Sequence, residues 1–132
     1  LARQAGAVLG IEGQGSAIRS AKSNAERNHL TNCTFIKSDV ASACRDLAAR
    51  GETFATVVCD TPRRGLSALA GLAGSLARKR MVYISCDPAT MCRDLQELVG
   101  QEFCIREIQP LDMSPQTHHH ETVVLLEKES SE

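Results

Sequence analysis

The chain has 132 residues, of which 42% are hydrophobic and 23% are charged, and this composition is typical of one globular domain. Fifteen Lys and Arg residues against sixteen Asp and Glu residues give a formal net charge of -1, so the chain as a whole does not attract a polyanion. No apolar run approaches the roughly 20 residues that span a bilayer, which excludes an integral membrane protein.

Six cysteines occur in the chain, without a CxxC pair and without a signal-peptide pattern before them. Most of them lie within apolar strand-like or helix-like patterns, which predicts buried free thiols. This usage of cysteine is typical of a reducing compartment, and we therefore expect a cytoplasmic protein.

Apolar strand-like runs alternate along the chain with segments of helical spacing. Residues 1–6 resemble the last turns of a helix, so we expect the chain to start within a domain. In chain order, the pattern then predicts a strand over 7–12, a helix over 17–30, a strand over 34–36, a helix over 40–50, a strand over 53–60, a helix over 66–77, a strand over 81–85, a helix over 89–99 and strands over 102–111 and 122–126. We assign residues 1–127 to one domain and 128–132 to a polar tail.

Strands that alternate with helices in this way form parallel βαβ units with right-handed crossovers. We therefore predict an α/β fold, an open three-layer sandwich with a mostly parallel sheet. No helix separates the last two strands, so these two should pair antiparallel. Ligands of such sheets bind at the carboxyl ends of the strands. That rule selects four residues, each at or just after the end of a predicted strand: Glu12, Asp39, Asp60 and Cys86.

Two of these strand ends suit a nucleotide-like ligand. An acid in the position of Glu12 commonly accepts hydrogen bonds from ribose hydroxyls, although a solvated strand end would carry the same residue. Asp60 begins a loop in which Pro62 fixes the backbone and Arg63 and Arg64 follow. Arginine can bind phosphate through two parallel hydrogen bonds, so both side chains are candidates to hold a nucleotide backbone. The alternative is a surface loop whose arginines face water.

Cys86 is the candidate nucleophile. Asp87 suits the cap of the following helix and Pro88 suits its first position. The positive end of that helix would face the sulfur and favour the thiolate, while Asp87 would partly oppose this effect with its own charge. The alternative is a small buried residue at a strand end, which is how we interpret the other five cysteines.

The long polar loop over 110–121 contains three consecutive histidines and ends at Glu121. Adjacent histidine side chains diverge, and no second Cys or His cluster has ligand spacing, so we predict no metal site. Glu121 precedes an apolar strand and is a candidate general base if the loop folds over the cysteine site.

Three stretches, VVCDTPRRGL, YISCDPATMCRDL and PLDMSPQTHHHETVVLLEK, together resemble the RNA (uracil-5-)-methyltransferase family, which makes 5-methyluridine in tRNA or rRNA. They correspond in order to a DPPR-like loop, an SCNP turn before a helix, and a DxFPxTxHxE segment before the last strand. With the GIE strand and the NAERN helix before them, the resemblance covers nearly the entire chain.

The resemblance implies a Rossmann-like methyltransferase domain that binds S-adenosylmethionine and an RNA substrate, with no DNA or membrane partner. By motif, Cys86 matches the cysteine nucleophile and Glu121 the base that removes a proton. Cofactor residues carried over in the same way are Glu12 for the ribose, Asp39 near the adenine, and Asp60 at the interface of cofactor and substrate. His119 matches the motif histidine in a supporting role, and Arg63 is the candidate for RNA binding.

The family's chemistry implies that the Cys86 thiolate adds to C6 of uracil, because C5 alone is too weak a nucleophile to take a methyl group. The target base must be unstacked, from a loop or by flipping. Thr61 stands in place of the first proline of DPPR, Asp87 in place of the asparagine of SCNP, and Ser114 in place of an aromatic residue. The Gly-rich strand and loop of the family would lie before Leu1, so we expect an N-terminally truncated domain.

Other functions remain open at the level of the sequence. The chain could be a non-catalytic remnant of the same fold that binds a partner. It could be a cysteine hydrolase that uses Cys86 with His119, although no oxyanion-hole motif accompanies them. It could also be a methyltransferase of protein or small molecules, which would not need Cys86 and Glu121 as a pair. The sequence does not indicate the particular RNA, the uridine or the oligomeric state.

Overall fold

A computed structural model of the chain describes residues 1–113 and 120–129. The described strands are β1 Val8–Glu12, β2 Cys33–Lys37, β3 Phe54–Asp60, β4 Ala77–Ser85, β5 Phe103–Leu111 and β6 Glu121–Lys128. The described helices are α1 Gly15–Arg27, α2 Val40–Ala49, α3 Ala70–Leu76 and α4 Pro88–Val99, with a short 3-10 turn at Ser67–Leu69 before α3. The predicted alternation of strands and helices is therefore confirmed. No helix in the described part of the chain is long and apolar enough to cross a membrane.

The chain divides into two compact units, Leu1–Asp46 and Leu47–Glu132. In the first unit, β1 and β2 form a two-stranded parallel sheet in which Val8 pairs with Cys33 and Glu12 pairs with Lys37. The parallel pairing brings the carboxyl ends of both strands to the same edge.

The second unit contains a four-stranded mixed sheet of order β3-β4-β6-β5. β3 and β4 are parallel, whereas β6 runs antiparallel to both β4 and β5. The predicted antiparallel pairing of the last two strands is confirmed. Because β6 lies between β4 and β5, its first residues also lie beside the last residues of β4.

The core of the second unit lies between this sheet and helices α3 and α4. Its largest fully buried apolar side chains are Met81, Tyr83, Leu98, Phe103, Val124 and Leu126. Helix α4 buries Met91, Leu95 and Leu98, as its helical spacing predicts, and this stripe faces the sheet.

Strand β3 differs from its sequence-based prediction. Its apolar pattern over 53–60 predicts a buried strand, but Val58 is 42% exposed while Val57 and Cys59 pack against the core. Successive side chains of a strand point to opposite faces of the sheet, so Val57 and Cys59 share the face that packs against the core, and Val58 lies on the other face.

Candidate active site

Cys86 lies in a tight turn between β4 and α4. Ser85, which is 2% exposed, holds this turn through its hydroxyl group, which accepts a hydrogen bond from the Asp87 N–H at 3.0 Å and donates one to the Asp87 carbonyl at 2.9 Å. These two bonds close the turn over residues 85–87 and place Cys86 at the carboxyl end of the strand. The side chain of Cys86 is half-buried there.

Asp87 caps helix α4, as predicted. Its carboxylate accepts a hydrogen bond from the Thr90 N–H at 2.9 Å, and Pro88 occupies the first turn. The hydrogen bond from Thr90 lowers the pKa of Asp87 below its ordinary value, so its carboxylate stays charged at neutral pH. Cys86 thus directly precedes both the cap of α4 and the charged carboxylate of Asp87.

Glu121 is brought to the same place by the register of β6. Ile84 pairs with Val123 and Ser85 with Thr122, so Glu121, the first residue of β6, lies at the edge of the sheet where β4 ends and Cys86 follows. Both residues are half-buried, which leaves each side chain accessible from one side.

Asp60 ends β3 in register with Ile84 of β4, so it lies at the same edge of the sheet as Cys86. The next residue, Thr61, is 6% exposed and donates two hydrogen bonds to the Ile84 carbonyl, from its N–H at 3.0 Å and from its hydroxyl at 2.9 Å. Proline, which occupies this position in the family motif, has no N–H and would make neither bond. Thr61 therefore ties the start of the loop directly to the strand that carries Cys86.

The remainder of residues 61–67, which we name the 61–67 loop, is bound to helix α4. The Thr90 hydroxyl donates to the Arg63 carbonyl at 2.8 Å, and the Arg93 guanidinium donates to the Arg64 carbonyl at 2.8 Å. Arg63 itself is exposed, and its charge contributes to the lowered pKa of Asp87. The candidate RNA-binding arginine is thus placed next to the turn of the candidate nucleophile.

Asp94 is a central residue of this second unit that the sequence analysis missed. It is 1% exposed and accepts hydrogen bonds from the N–H groups of Leu66 and Ser67 at 2.5 and 3.1 Å and from the Tyr83 hydroxyl at 2.6 Å. Arg93 also forms an ion pair with it at 2.7 Å. The signal in the sequence was available: Asp94 follows Met91 by three residues and therefore falls on the apolar face of α4, where a charge requires buried partners.

In the first unit, Glu12 and Asp39 lie at the carboxyl ends of the two paired strands. Glu12 is exposed, and one carboxylate oxygen accepts the Gln14 N–H at 2.8 Å. Asp39 accepts the N–H and the hydroxyl of Ser42 at 2.9 and 3.1 Å, and these bonds cap helix α2 and lower the pKa of Asp39. The other oxygen of Glu12 is therefore available to an external donor, whereas Asp39 has a structural role that the sequence analysis did not identify.

The predicted site residues thus fall in both units: Glu12 with Asp39 in the first, and Asp60, Arg63, Cys86 and Glu121 in the second. His119 and Ser114 lie outside the described residues. All six cysteines are free. Within residues 1–113 and 120–129, no group of three or more His, Cys, Asp or Glu residues has the geometry of a metal site.

Comparison with known proteins places this arrangement among RNA methyltransferases. A profile of the family described as tRNA (Uracil-5-)-methyltransferase matches residues 1–129. An uncharacterized RNA methyltransferase of Lactiplantibacillus plantarum is 40% identical over 131 residues, which cover 98% of this chain and 29% of that protein. The 23S rRNA (uracil(1939)-C(5))-methyltransferase RlmD of Pseudomonas entomophila is 39% identical over 127 residues, covering 96% of this chain and 28% of that protein. The chain therefore spans less than a third of the length of these relatives.

Solved structures share the fold at low sequence identity. A putative SAM-dependent methyltransferase from Streptococcus mutans has a TM-score of 0.78 at 12% identity and covers 92% of this chain and 38% of its own. Magnesium protoporphyrin IX methyltransferase from Synechocystis, solved with SAM bound, has a TM-score of 0.70 at 18% identity over 97% and 62% of the two chains. These similarities confirm the predicted Rossmann-like methyltransferase fold.

Proposed function

This chain belongs to the tRNA (uracil-5-)-methyltransferase family, and from that membership we propose that its fold transfers a methyl group from S-adenosylmethionine to C5 of a uridine in RNA. The observation that carries the proposal is the register of β4 and β6, in which Glu121 begins β6 at the edge of the sheet where β4 ends and Cys86 follows. A nucleophile and a base side by side at the carboxyl end of a strand are what covalent catalysis on a pyrimidine needs.

In this proposal, the Cys86 thiolate forms a bond to C6 of the uracil ring, and the electron pair of the C5–C6 double bond moves towards C5 and the O4 carbonyl. C5 then has the electron density to take the methyl group. Glu121 accepts the proton that C5 still carries, the double bond re-forms, and the sulfur leaves C6 with its electron pair. At the end, the Cys86 sulfur is a thiolate again, Glu121 holds the proton until it passes to solvent, and C5 has exchanged that proton for the methyl group that S-adenosylmethionine supplies.

The residues of the first unit fit the cofactor that this reaction requires. S-adenosylmethionine, when bound, supplies a methyl group on a positively charged sulfur. Glu12 is exposed at a strand end and has an oxygen free to accept from ribose hydroxyls, which is the usual role of an acid at this place in nucleotide-binding sheets. We assign Asp39 to the neighbourhood of the adenine and Asp60 to the interface of cofactor and substrate.

The substrate in this proposal is an RNA, either a tRNA or an rRNA, and DNA and membranes are not partners. Arg63 is exposed beside the Cys86 turn and suits a phosphate of the target strand. We assign His119 a supporting role in binding the target uracil. Residues 1–127 act as one S-adenosylmethionine-dependent domain. An RNA substrate and six free thiols both accord with a cytoplasmic protein.

The test uses RNA that contains 5-fluorouridine, because a base cannot remove fluorine from C5 as it removes a proton. The intact enzyme with S-adenosylmethionine should form a covalent adduct that survives denaturing electrophoresis, and Cys86→Ala should form none. Cys92→Ala is the matched control, because Cys92 is exposed on the same helix that follows Cys86. Glu121→Gln should instead accumulate an adduct with ordinary RNA, since proton removal is blocked.

Two results would reject the mechanism. An adduct that persists in Cys86→Ala would assign the nucleophile elsewhere, and methylation without any covalent adduct would indicate a reaction that does not use the sulfur. Loss of the adduct in Cys92→Ala would show that the assay reports on folding rather than on the nucleophile.

A further inference from the structure

Asp94 is a buried carboxylate that accepts five hydrogen bonds, from Leu66 N–H, Ser67 N–H, the Tyr83 hydroxyl and two nitrogens of Arg93. An isolated charge in such a place is costly, and complete satisfaction by donors is what makes it tolerable. Burial raises the pKa of Asp94, but the hydrogen bonds from Tyr83 and Arg93 outweigh burial and lower it. The group is therefore an anion at neutral pH in the interior of the second unit.

The partners of Asp94 come from three different elements. Tyr83 belongs to β4, three residues before Cys86, while Arg93 and Asp94 belong to α4, which begins two residues after it. Leu66 and Ser67 belong to the 61–67 loop, which follows Asp60 and carries Arg63. One carboxylate thus joins both sides of the Cys86 turn to the loop that follows Asp60 and carries Arg63.

The conformation of the loop is fitted to this carboxylate. Gly65 has a φ of 68°, in the left-handed region, and a Cβ atom there would collide with the carboxylate of Asp94 and lie 3.1 Å from the Tyr83 hydroxyl. Close approach of the backbone to Asp94 therefore requires glycine. The contacts among Gly65, Asp94 and Tyr83 fix the end of the loop. The hydrogen bonds of Thr61 and Thr90 fix its beginning and its middle.

We infer that Asp94 is a positioning residue for the methyl transfer, which holds the 61–67 loop, with Asp60 and Arg63, against the turn that carries Cys86. This inference rests on the proposed function. Asp94 does not touch the reacting atoms; it acts through the loop that presents Arg63 to the RNA and through the turn that presents the sulfur to C6.

The direct test is the rate of adduct formation with 5-fluorouridine RNA in the intact enzyme, measured at a temperature well below its melting point. Asp94→Asn keeps the size of the side chain but presents an NH2 group to partners that are all donors. We expect the adduct rate to fall about 10- to 100-fold, because displacement of a positioned group by about 1 Å can cost this much. The rate at which iodoacetamide alkylates Cys86 should change less than about threefold, since the sulfur itself stays accessible.

Two matched variants on α4 separate positioning from stability. Glu97→Gln removes a charge from an exposed face of the same helix and should leave the adduct rate unchanged. Leu98→Ala removes a fully buried side chain that makes no hydrogen bond to the loop, so it should lower the melting temperature while retaining the adduct rate in the cold. Tyr83→Phe keeps the ring and removes one donor to Asp94, so it should lower the rate of adduct formation by a smaller factor than Asp94→Asn does. If Asp94→Asn does not fold, Tyr83→Phe tests the positioning role of Asp94 in its place.

A second readout does not depend on activity. Amide hydrogen exchange at Leu66 and Ser67 should accelerate in Asp94→Asn and in Tyr83→Phe but not in Glu97→Gln. Adduct rates and exchange rates equal to those of the unmodified enzyme in both Asp94→Asn and Tyr83→Phe would overturn the role of Asp94 and leave the methyl transfer standing. Absence of an adduct in the unmodified enzyme would instead reject the methyl transfer and the positioning role together.

Discussion

The Tyr83 hydroxyl is fully buried between the carboxylate of Asp94 and the side chain of Thr61. Burial, together with the hydrogen bond to Asp94, raises the pKa of Tyr83 from 10.0 to about 12. The neutral phenol is the form that donates to the carboxylate, so the folded state favours it over the phenolate. Because the folded pKa exceeds the unfolded one, this contribution to stability is complete below pH 10 and is lost as the pH rises from about 10 to about 12.

Tyr83 is the only tyrosine of the chain, which makes this titration directly observable. We expect the near-ultraviolet absorbance of phenolate to appear at about pH 12 in the folded chain and at about pH 10 in the chain unfolded by urea. In Tyr83→Phe, the free energy of unfolding should fall less steeply with pH over the same interval. A folded chain whose phenol titrates near pH 10 would contradict the buried hydrogen bond to Asp94.

Local signals explain which residues could be predicted. The cap at Asp87 and the first-turn proline depend on three or four neighbouring residues, so the start of α4 could be predicted correctly. Asp94 instead bonds to backbone groups 27 and 28 residues earlier in the chain. A sequence pattern shows that such a charge is buried, but only the tertiary structure shows what it holds.

At the scale of elements, helices α3 and α4 pack so closely that Gly74 has no room for a side chain. A Cβ atom at Gly74 would lie 2.8 Å from a methyl carbon of Leu98, which is fully buried. Gly71, one turn earlier, would meet only the flexible ends of Gln101 and Glu97, also at 2.8 Å. The two glycines therefore share a helix and differ in what a methyl group would contact.

This difference predicts opposite effects of one substitution. Gly→Ala in a helix gains about 1 kcal/mol of propensity, whereas overpacking of a buried site costs about 1–3 kcal/mol. Gly71→Ala should therefore raise the free energy of unfolding, by up to about 1 kcal/mol, because the polar ends move aside. Gly74→Ala should lower it, by up to about 2 kcal/mol. Urea denaturation of both variants checks the prediction, and equal shifts of the two midpoints would show that α3 and α4 are not in close contact.

The boundaries and order of the elements could be predicted less well than their types. The helix predicted over 66–77 is a 3-10 turn followed by the shorter helix α3. The reason is that the 61–67 loop extends up to Ser67, whose N–H donates a hydrogen bond to Asp94. β4 begins at Ala77, four residues before the predicted strand, since Arg80 pairs with Glu127 of β6. The position of β6 between β4 and β5 is a property of the sheet, and no local pattern encodes it.

At the scale of the molecule, the alternation of strands and helices sufficed to predict the fold class, which the structure and its similarity to solved methyltransferases confirm. The place of Glu121 at the end of β4 could not be derived in this way, because it depends on the register between β4, which ends at Ser85, and β6, which begins at Glu121. Resemblance to the family supplied Cys86 and Glu121, and the sheet explains why both lie at the same edge: antiparallel β6 starts where β4 ends.

The net charge of -1 makes the proposed affinity for RNA depend on few local cations, and this dependence can be measured. For a single strand, the logarithm of the association constant falls linearly with the logarithm of the salt concentration. Each phosphate that a cationic side chain contacts contributes about -0.7 to the slope of this line. Arg63→Ala in the intact enzyme should weaken RNA binding at low salt. It should also make the slope less steep by about 0.7, which is the contribution of one phosphate contact. Arg78→Ala is the matched control, because Arg78 is an exposed arginine near the opposite end of β4, roughly 23 Å from Ser85. It should leave both the affinity and the slope unchanged, and an equal loss in the two variants would show that RNA binds by general charge rather than at the edge of the sheet that carries Cys86.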